Sequence, residues 1–279
     1  RDFITVRDRS FRPQVSEVAV KSGELPWRLL VLMDVSHYQR LNDNMMMFLQ
    51  TVSHDLRSPL TAAKGFIDMM PMVGELNDKQ MMMQDKVLTS IIDMTNLVEK
   101  VLDAGRLDPE MGGYQLRRDL CDPGKIVEKV VSTLTNAANK KDLYLKAEVA
   151  SGVPVMNLDE LMIERALMNL VENAIKYTPE GGEIVVQAVV EQNHLFLDVI
   201  DNGFGIPEDK QDSLFERGSR IRRTEHKAIR GSGLGLFIVK NVAQQHGGDA
   251  IIESEEGSGS RFRIRVPISG LNAPGGASE

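Results

Sequence analysis

At 279 residues and 42% hydrophobic content, the chain has room for about two domains with real cores. Its net charge of -7 gives no electrostatic footprint for nucleic acid, and no apolar run approaches the roughly 20 residues that cross a bilayer. The single cysteine, Cys121, excludes an internal disulfide and fits a reducing, cytoplasmic setting. The chain opens on Arg1 and reads as a fragment without membrane contact of its own; an anchor or sensor upstream would be invisible in it. Fifteen methionines against one tryptophan suggest adaptable core filler rather than a metal or cofactor role.

Residues 1–35 alternate in short β-type runs, Val15–Val20 and Leu29–Met33, broken by Gly23 and Pro26. They are too few to form a core alone. From Tyr38 to Met70 the apolar positions Leu41, Met45, Phe48, Val52, Leu56, Leu60, Ala63, Ile67 and Met70 recur at spacings of three and four. That is a long amphipathic helix, expected to break at Pro71 and Gly74. A second helix is predicted from Asp78 to Gly105, with Met81, Leu88, Ile91, Val98 and Leu102 along one side. One helical hairpin leaves its apolar stripe uncovered, and pairing two copies into a four-helix bundle covers it. The expected assembly is therefore a homodimer.

His54 lies two residues from both Val52 and Leu56, so at 100° per residue it points off the apolar stripe. Asp55 can hydrogen-bond one imidazole nitrogen, orienting the ring and raising the nucleophilicity of the other. Pro59 cannot donate to the carbonyl of Asp55, which favours a kink. On these grounds alone His54 is either a reactive group or a plain surface histidine on a kinked helix.

A Gly/Asp/Pro-rich linker, Asp108 to Gly113, leads to a different composition. Asp122 and Pro123 read as an N-cap and first helical residue of a helix to about Lys141. A strand at Tyr144–Val149 follows, then a helix from an Asp159 cap to Tyr177. Strands are predicted at Glu183–Glu191, Leu195–Ile200, Ala250–Ser254 and Ser260–Val266, with a helix at Leu236–His246. This mixture indicates a two-layer α/β sandwich.

Asn169, Asn173 and Lys176 stack at i, i+4 and i+7 on one helix face, beside Glu172. Such a face is either simply solvated or a place where carboxamide oxygens meet Mg²⁺ and a lysine meets phosphate. Asp201-Asn-Gly-Phe-Gly205 ends a strand; it is a β-turn, or a turn beside a ligand whose exocyclic amine Asp201 accepts. Gly231-Ser-Gly-Leu-Gly235 precedes a helix, where backbone amides can meet phosphates. Residues 206–230, with Arg217, Arg220, Arg222, Arg223, Lys227 and Arg230, form either a solvated basic loop or a lid over a triphosphate. His194, His226 and His246 have no metal-ligand spacing and read as incidental.

Ser53-His-Asp-Leu-Arg-Ser-Pro-Leu60 resembles the H-box of HisKA-type sensor histidine kinases, usually Ser-His-Glu-Leu-Arg-Thr-Pro-Leu. Asn169-Leu-Val-Glu-Asn173-Ala-Ile-Lys176-Tyr177, Asp201–Gly205, Leu214-Phe-Glu-Arg217 and Gly231–Gly235 resemble the N, G1, F and G2 boxes of the ATPase family shared by histidine kinases, DNA gyrase and Hsp90. The resemblance covers roughly 36 to 268. It implies a helical hairpin forming a dimeric four-helix bundle, then a Bergerat-type α/β sandwich that binds ATP and Mg²⁺. It implies phosphorylation of His54 with Asp55 in the general-base position, and transfer to an aspartate of a response regulator receiver. Ser58 stands where Thr usually helps place a water that hydrolyses the regulator's phosphoaspartate; it keeps the hydroxyl. Asn173 would ligate Mg²⁺, with Asn169 and Lys176 at the phosphates and Tyr177 near the nucleotide. Asp201 would bind the adenine amine, with Gly203 and Gly205 allowing its approach. Gly231, Gly233, Leu234 and Gly235 would make the phosphate-facing hinge, and Ser260 stands where Thr is usual at the base pocket.

Residues 1–35, with Asp34-Val-Ser36 leading into the helix, resemble the closing strands and exit motif of a PAS sensor domain; the alternative is a stray β-hairpin. The implied organisation is a partial PAS-like end (1–35), the phosphoacceptor hairpin (36–107), a linker (108–117), the ATP-binding domain (118–269) and a disordered tail (270–279). The rivals are a gyrase- or Hsp90-like ATPase clamp, for which Glu172 would activate water, and a silent ATP-binding scaffold.

Overall fold

The computed structural model describes residues 4–6, 9–18, 27–107, 116–216, 218–219 and 232–268. The expected linker up to Gly113, residues 217 and 220–230 of the basic segment and the tail from 270 lie outside them. The chain divides between Tyr114 and Gln115 into two compact units.

The first unit starts with three antiparallel strands, β1 (Ile4–Val6), β2 (Arg9–Val18) and β3 (Trp27–Asp34), in the order β1-β2-β3. The sheet is stitched to the helix that follows. Val35 N–H donates to Ser10 O at 2.8 Å, and Ser10 N–H donates to Ser36 Oγ at 2.9 Å. The Asp34 carboxylate accepts from the Ser36 hydroxyl at 2.6 Å and from its amide at 3.0 Å. These bonds hold the Asp34 carboxyl below its usual range.

Helix α1 spans Ser36–Val73 and α2 spans Asp78–Leu107. Pro71 does not break α1, contrary to the sequence expectation: the helix runs three residues past Met70, to Val73, with Gly74 at its C-cap. The reason lies on α2. A proline at 71 leaves the carbonyl of Ile67 without its i+4 donor, and Gln84 Nε2 supplies one at 2.7 Å. The start of α2 is fixed by a reciprocal capping box: Asn77 Oδ1 accepts from Gln80 N–H at 3.0 Å, and Gln80 Oε1 accepts from Asn77 N–H at 2.9 Å.

The covered seam of α2 is Gln84, Leu88, Ile91, Thr95 and Val98, a heptad-like spacing. It meets an α1 line that includes Ser53, Leu60, Ala63 and Ile67. Beside it runs a second apolar stripe that stays open: Met45, Phe48, Leu56 and Met70 on α1, and Met83, Val87, Met94, Leu97 and Val101 on α2.

The second unit is a five-stranded mixed sheet covered on one face by three helices. Its strands are β5 (Tyr144–Val149), β7 (Glu183–Glu191), β8 (His194–Asp201), β10 (Gly259–Pro267) and β9 (Asp249–Glu255), lying in the order β5-β7-β8-β10-β9, with only β5–β7 parallel. The helices are α3 (Pro123–Asn139), α4 (Glu160–Tyr177) and α6 (Gly235–Gln245); a short α5 (Glu208–Gln211) follows β8. A small ribbon of β4 (Asp119–Cys121) and β6 (Met156–Leu158), not foreseen from the sequence, closes one end.

Alternation places Ile184, Val186 and Ala188 of β7 and Phe262, Ile264 and Val266 of β10 on the covered face. There they meet the apolar side of α4, among it Ile163, Leu167 and Leu170, all fully buried and each contributing about 2 kcal/mol. The other face is closed by charge rather than by a layer. Asp198, fully buried, accepts from Arg261 Nη2 at 2.5 Å and from Arg263 Nε at 3.0 Å, and the Arg263 guanidinium lies 4.1 Å from the centre of the Phe196 ring.

The Gln84–Ile67 bond carries a direct test. Gln84→Ala is expected to cost about 1–2 kcal/mol in chemical unfolding. In a Pro71→Ala background, where residue 71 donates its own amide, that cost should shrink below about 0.5 kcal/mol.

Candidate active site

His54 sits mid-way along α1 with 82% of its side chain exposed, and Asp55 is 72% exposed. Nδ1 of the imidazole lies 3.3 Å from Asp55 Oδ1. An exposed bond of that length orients the ring more than it stabilises the helix. With Nδ1–H directed at the carboxylate, the lone pair left is on Nε2, facing solvent. Ser58 is exposed one turn further on. Arg57 of the same segment pairs with Glu99 of α2, tying the two helices together just past His54.

In the second unit, α4 is the organising element. Asn169 is buried, its Nδ2 donates to Arg165 O at 2.9 Å, and its Oδ1 has no partner. That oxygen faces the first residue of α6: a Cβ added at Gly235 would come within 3.1 Å of it. A buried, unpaired carbonyl oxygen is costly and suits a cation or a water. One proton of its amide nitrogen goes to Arg165 O, which leaves the second N–H of the carboxamide. Asn173 and Lys176 follow on α4, both half-buried, and Lys176 Nζ lies 5.1 Å from the centre of the Tyr177 ring.

Asp201 ends β8 and is 7% exposed. Burial pushes its carboxyl up to about 6, while the amides of Gly203 and Ser260 donate to it and pull the other way. The acid form is thus favoured by folding: this group's stabilising contribution is present below about pH 4 and lost as pH rises through 6. A ligand that donates to the carboxylate would reverse that loss. The loop after Asp201 is seated on the end of α4. Phe204 N–H donates to Tyr177 O at 3.2 Å, and a Cβ at Gly203 would lie 2.5 Å from that same oxygen. Gly205 has φ +61° and no room for a Cβ against the Glu255 carbonyl, so only glycine fits.

Ser260 is buried opposite Asp201 in the β8–β10 register, its hydroxyl 2.9 Å from that of Ser254. Ser254 escaped the sequence reading. Its hydroxyl accepts from Ile206 N–H at 2.9 Å, which holds the far side of the Asp201–Gly205 loop. Alternation along β9 was the only signal that could have found it.

Leu214 and Phe215 are buried, with Lys240 of α6 5.9 Å from the centre of the Phe215 ring. Gly218 N–H donates to Gly233 O at 3.1 Å, joining this segment to the loop before α6. Leu234 occupies the N-cap position of α6, with no side chain capping the helix, so its amides remain available to an anion. Gly231, Arg217, His226 and the basic residues from Arg220 to Arg230 lie outside the described residues. Among the described residues no cluster of three or more His, Cys, Asp or Glu could hold a metal; the carboxamides of α4 are the available donors, and they fit Mg²⁺ shared with phosphates and water.

His246 is not incidental. It is buried, its Nε2 accepts from Asp159 N–H at 3.0 Å, and its Nδ1–H donates to Val242 O at 2.7 Å. Asp159 in turn caps α4 through Met162 N–H and accepts from Arg117 N–H at 2.8 Å. One imidazole so joins the end of α6 to the start of α4. Half-buried His194 places Nδ1 3.0 Å from Gln192 O in its own turn and its ring 6.3 Å from that of Phe196.

Comparison with known proteins places this architecture. Residues 44–110 match the His Kinase A (phospho-acceptor) domain, and residues 158–270 match the histidine kinase-, DNA gyrase B- and HSP90-like ATPase family. The chain belongs to the sensor histidine kinases. An uncharacterized sensor-like histidine kinase of Rhizobium meliloti (strain 1021) is 35% identical over 244 residues, 85% of this chain and 46% of that protein. Histidine protein kinase DivJ of Caulobacter vibrioides is 32% identical over 223 residues, 79% of this chain and 37% of that one. The chain therefore spans less than half the length of these relatives. Among solved structures, full-length ShkA in complex with AMPPNP superposes with a TM-score of 0.66 at 26% identity, over 81% of this chain and 47% of that one. No helix among the described residues is long and apolar enough to cross a membrane.

Burial pushes the His246 imidazole below its ordinary pKa, so its contribution is present above about pH 6.5 and lost as pH falls. His246→Phe, which leaves Asp159 N–H unpaired, is expected to cost about 2–3 kcal/mol at pH 7.5 in denaturant unfolding. The gap to the wild type should narrow below pH 6.

Proposed function

We propose that this chain transfers the γ-phosphoryl group of Mg-ATP to His54 and from there to an aspartate of a response regulator. The observation that carries the reading is the solvent-facing Nε2 of His54, with Asp55 on the opposite nitrogen at 3.3 Å. Asp55 keeps the proton on Nδ1 and stabilises the imidazolium that develops as Nε2 attacks. The new bond joins Nε2 to the γ-phosphorus; the bond from that phosphorus to the bridging oxygen breaks, and ADP leaves.

Asp201 accepts from the adenine amine, Gly203 and Gly205 let the base approach, and Ser260 closes its pocket. Lys176 and the first-turn amides of α6 face phosphate oxygens, with Gly233 and Gly235 at the hinge before the helix and Tyr177 beside the nucleotide. Asn173, together with Oδ1 of Asn169, would hold Mg²⁺, which when bound neutralises charge on the triphosphate. In-line placement then depends on the segment 108–115, which joins the two units. Ser58, exposed one turn beyond His54, would orient a water for hydrolysis of the regulator's phosphoaspartate.

The assembly is a homodimer in which the open stripe through Val87, Met94, Leu97 and Val101 pairs with its copy in a four-helix bundle. Residues 1–35 are the end of a PAS-like sensor whose output enters α1 through Asp34 and Ser36.

Incubation with labelled ATP and Mg²⁺ tests the core of this. Acid-labile, base-stable label on the protein is expected, absent in His54→Gln and slowed about a hundredfold or more in Asp55→Asn. Free phosphate without labelled protein would instead indicate an ATPase clamp, and neither product a silent scaffold.

Asp201 gives the pH test. A ligand amine binds the ionised carboxylate, so affinity for AMPPNP should be flat above pH 7 and weaken up to tenfold per unit below about 6. Asp201→Asn should bind at least about tenfold more weakly at pH 7.5 and lose that pH dependence.

A further inference from the structure

The C-terminal end of α4 raises a question of accounting. A helix leaves its last four carbonyls without intrahelical donors, and α4 has no glycine cap to satisfy them. Its C-cap, Thr178, is extended at φ -90° and ψ 129°, and Pro179 after it has no amide to give. Yet all four carbonyls are met. Thr178 N–H donates to Ala174 O at 2.9 Å, and Phe204 N–H donates to Tyr177 O at 3.2 Å. The other two are taken by a side chain from elsewhere: Lys141 Nζ donates to Ile175 O at 2.8 Å and to Lys176 O at 2.9 Å. Its third proton goes to Thr178 O at 2.7 Å.

Lys141 lies just beyond the end of α3, half-buried, with its donor capacity filled by backbone. Glu180 is the charged group that acts on it favourably from the segment after α4. A cation at this point also complements the negative end of the α4 dipole. No solvated role is left for the ammonium. From the sequence Lys141 marked only the approximate end of α3, which closes at Asn139.

We infer that Lys141 is a positioning residue for nucleotide binding: it fixes the turn from which Lys176 and Tyr177 project and on which the Asp201–Gly205 loop rests. The coupling is short. Lys176 and Thr178 are held by their own carbonyls, and Tyr177 between them receives Phe204 and crowds Gly203. Removing the ammonium leaves two helix carbonyls to be met by water. The last turn then frays, which moves the phosphate-facing lysine and the seat of the base-binding loop together. The inference rests on the nucleotide reading above.

The test uses the full 279-residue chain as wild type, Lys141→Met and Lys141→Arg. Kd for AMPPNP is measured by calorimetry, and KM and kcat for ATP by labelling of His54. Lys141→Met should raise Kd and KM about tenfold while kcat at saturating ATP stays within about threefold, the signature of lost ground-state positioning. Lys141→Arg, which restores charge and donors, should return both to within about threefold of wild type. If Lys141→Met is unfolded at the assay temperature, Lys141→Gln is read by the same criteria. A lowered melting temperature with wild-type Kd and KM would make Lys141 a stabilising residue only and overturn the inference. Failure of the wild type itself to bind AMPPNP would be a different result: it would remove the nucleotide reading, and this inference with it.

Discussion

The catalytic unit depends on how α4 is pinned at both ends. One side of the helix must stay in the sheet core through Ile163, Leu167 and Leu170; the other must present Asn169, Asn173 and Lys176. A helix meeting both demands cannot slide or rotate, because one residue of shift turns each face by about 100°, away from its partners. Asp159 holds the N-terminus and Lys141 the C-terminus, each with the charge that opposes the local end of the helix dipole. The two anchors arrive from opposite directions in sequence, and each brings neighbours. Asp159 carries His246 and the end of α6; Lys141 carries the end of α3. The unpaired Oδ1 of Asn169 is tolerable only because α4 is held this firmly: a looser helix would turn that oxygen out to water.

The hairpin solves a different problem with less material. Its two helices share one seam, and a proline inside α1 would cost a hydrogen bond at the same place where the seam begins to close. Gln84 supplies the missing donor from α2, so the defect in one helix becomes a register mark for the other. Arg57 and Glu99 do the same further along, just past His54. What the hairpin leaves uncovered is equally ordered. The stripe through Val87, Met94, Leu97 and Val101 keeps heptad-like spacing although these side chains are exposed among the described residues. Exposed apolar surface arranged with that regularity has the form of one half of an interface rather than of loose packing.

Much of this was legible from residue order, because local chemistry decided it. Asp122-Pro123 capped α3 as read, with Asp122 Oδ1 accepting from Gly124 N–H at 2.9 Å, and Asp159 capped α4. The paired His54 and Asp55 came from adjacency alone. Pro71 was misread for a physical reason: the rule that proline ends a helix assumes that the orphaned carbonyl finds no other donor, and Gln84 is 17 residues away from Ile67. His246, Lys141, Ser254 and Asp198 share that difficulty. Each meets a partner far away in sequence, such as Arg263 for Asp198 at a separation of 65 residues, and no local pattern names that partner. Asn77 is the exception, since Asn-x-x-Gln before a helix is a capping box that could have been read.

On the proposed reaction, the division of labour between the units follows from these same constraints. A nucleophile that must be reached by two successive phosphate partners, nucleotide and receiver, has to stand in solvent, and His54 does. An exposed imidazole with one acid neighbour cannot by itself lower a phosphoryl-transfer barrier far, since charge neutralisation in water is weak. The buried Asp201, the unpaired Asn169 oxygen and the open amides of α6 belong to a site where water is scarcer and each interaction is worth more. Exposure suits the acceptor and burial suits the donor, so no single rigid site could hold both well. Placing them on separate units joined by residues 108–115 turns that conflict into a matter of encounter.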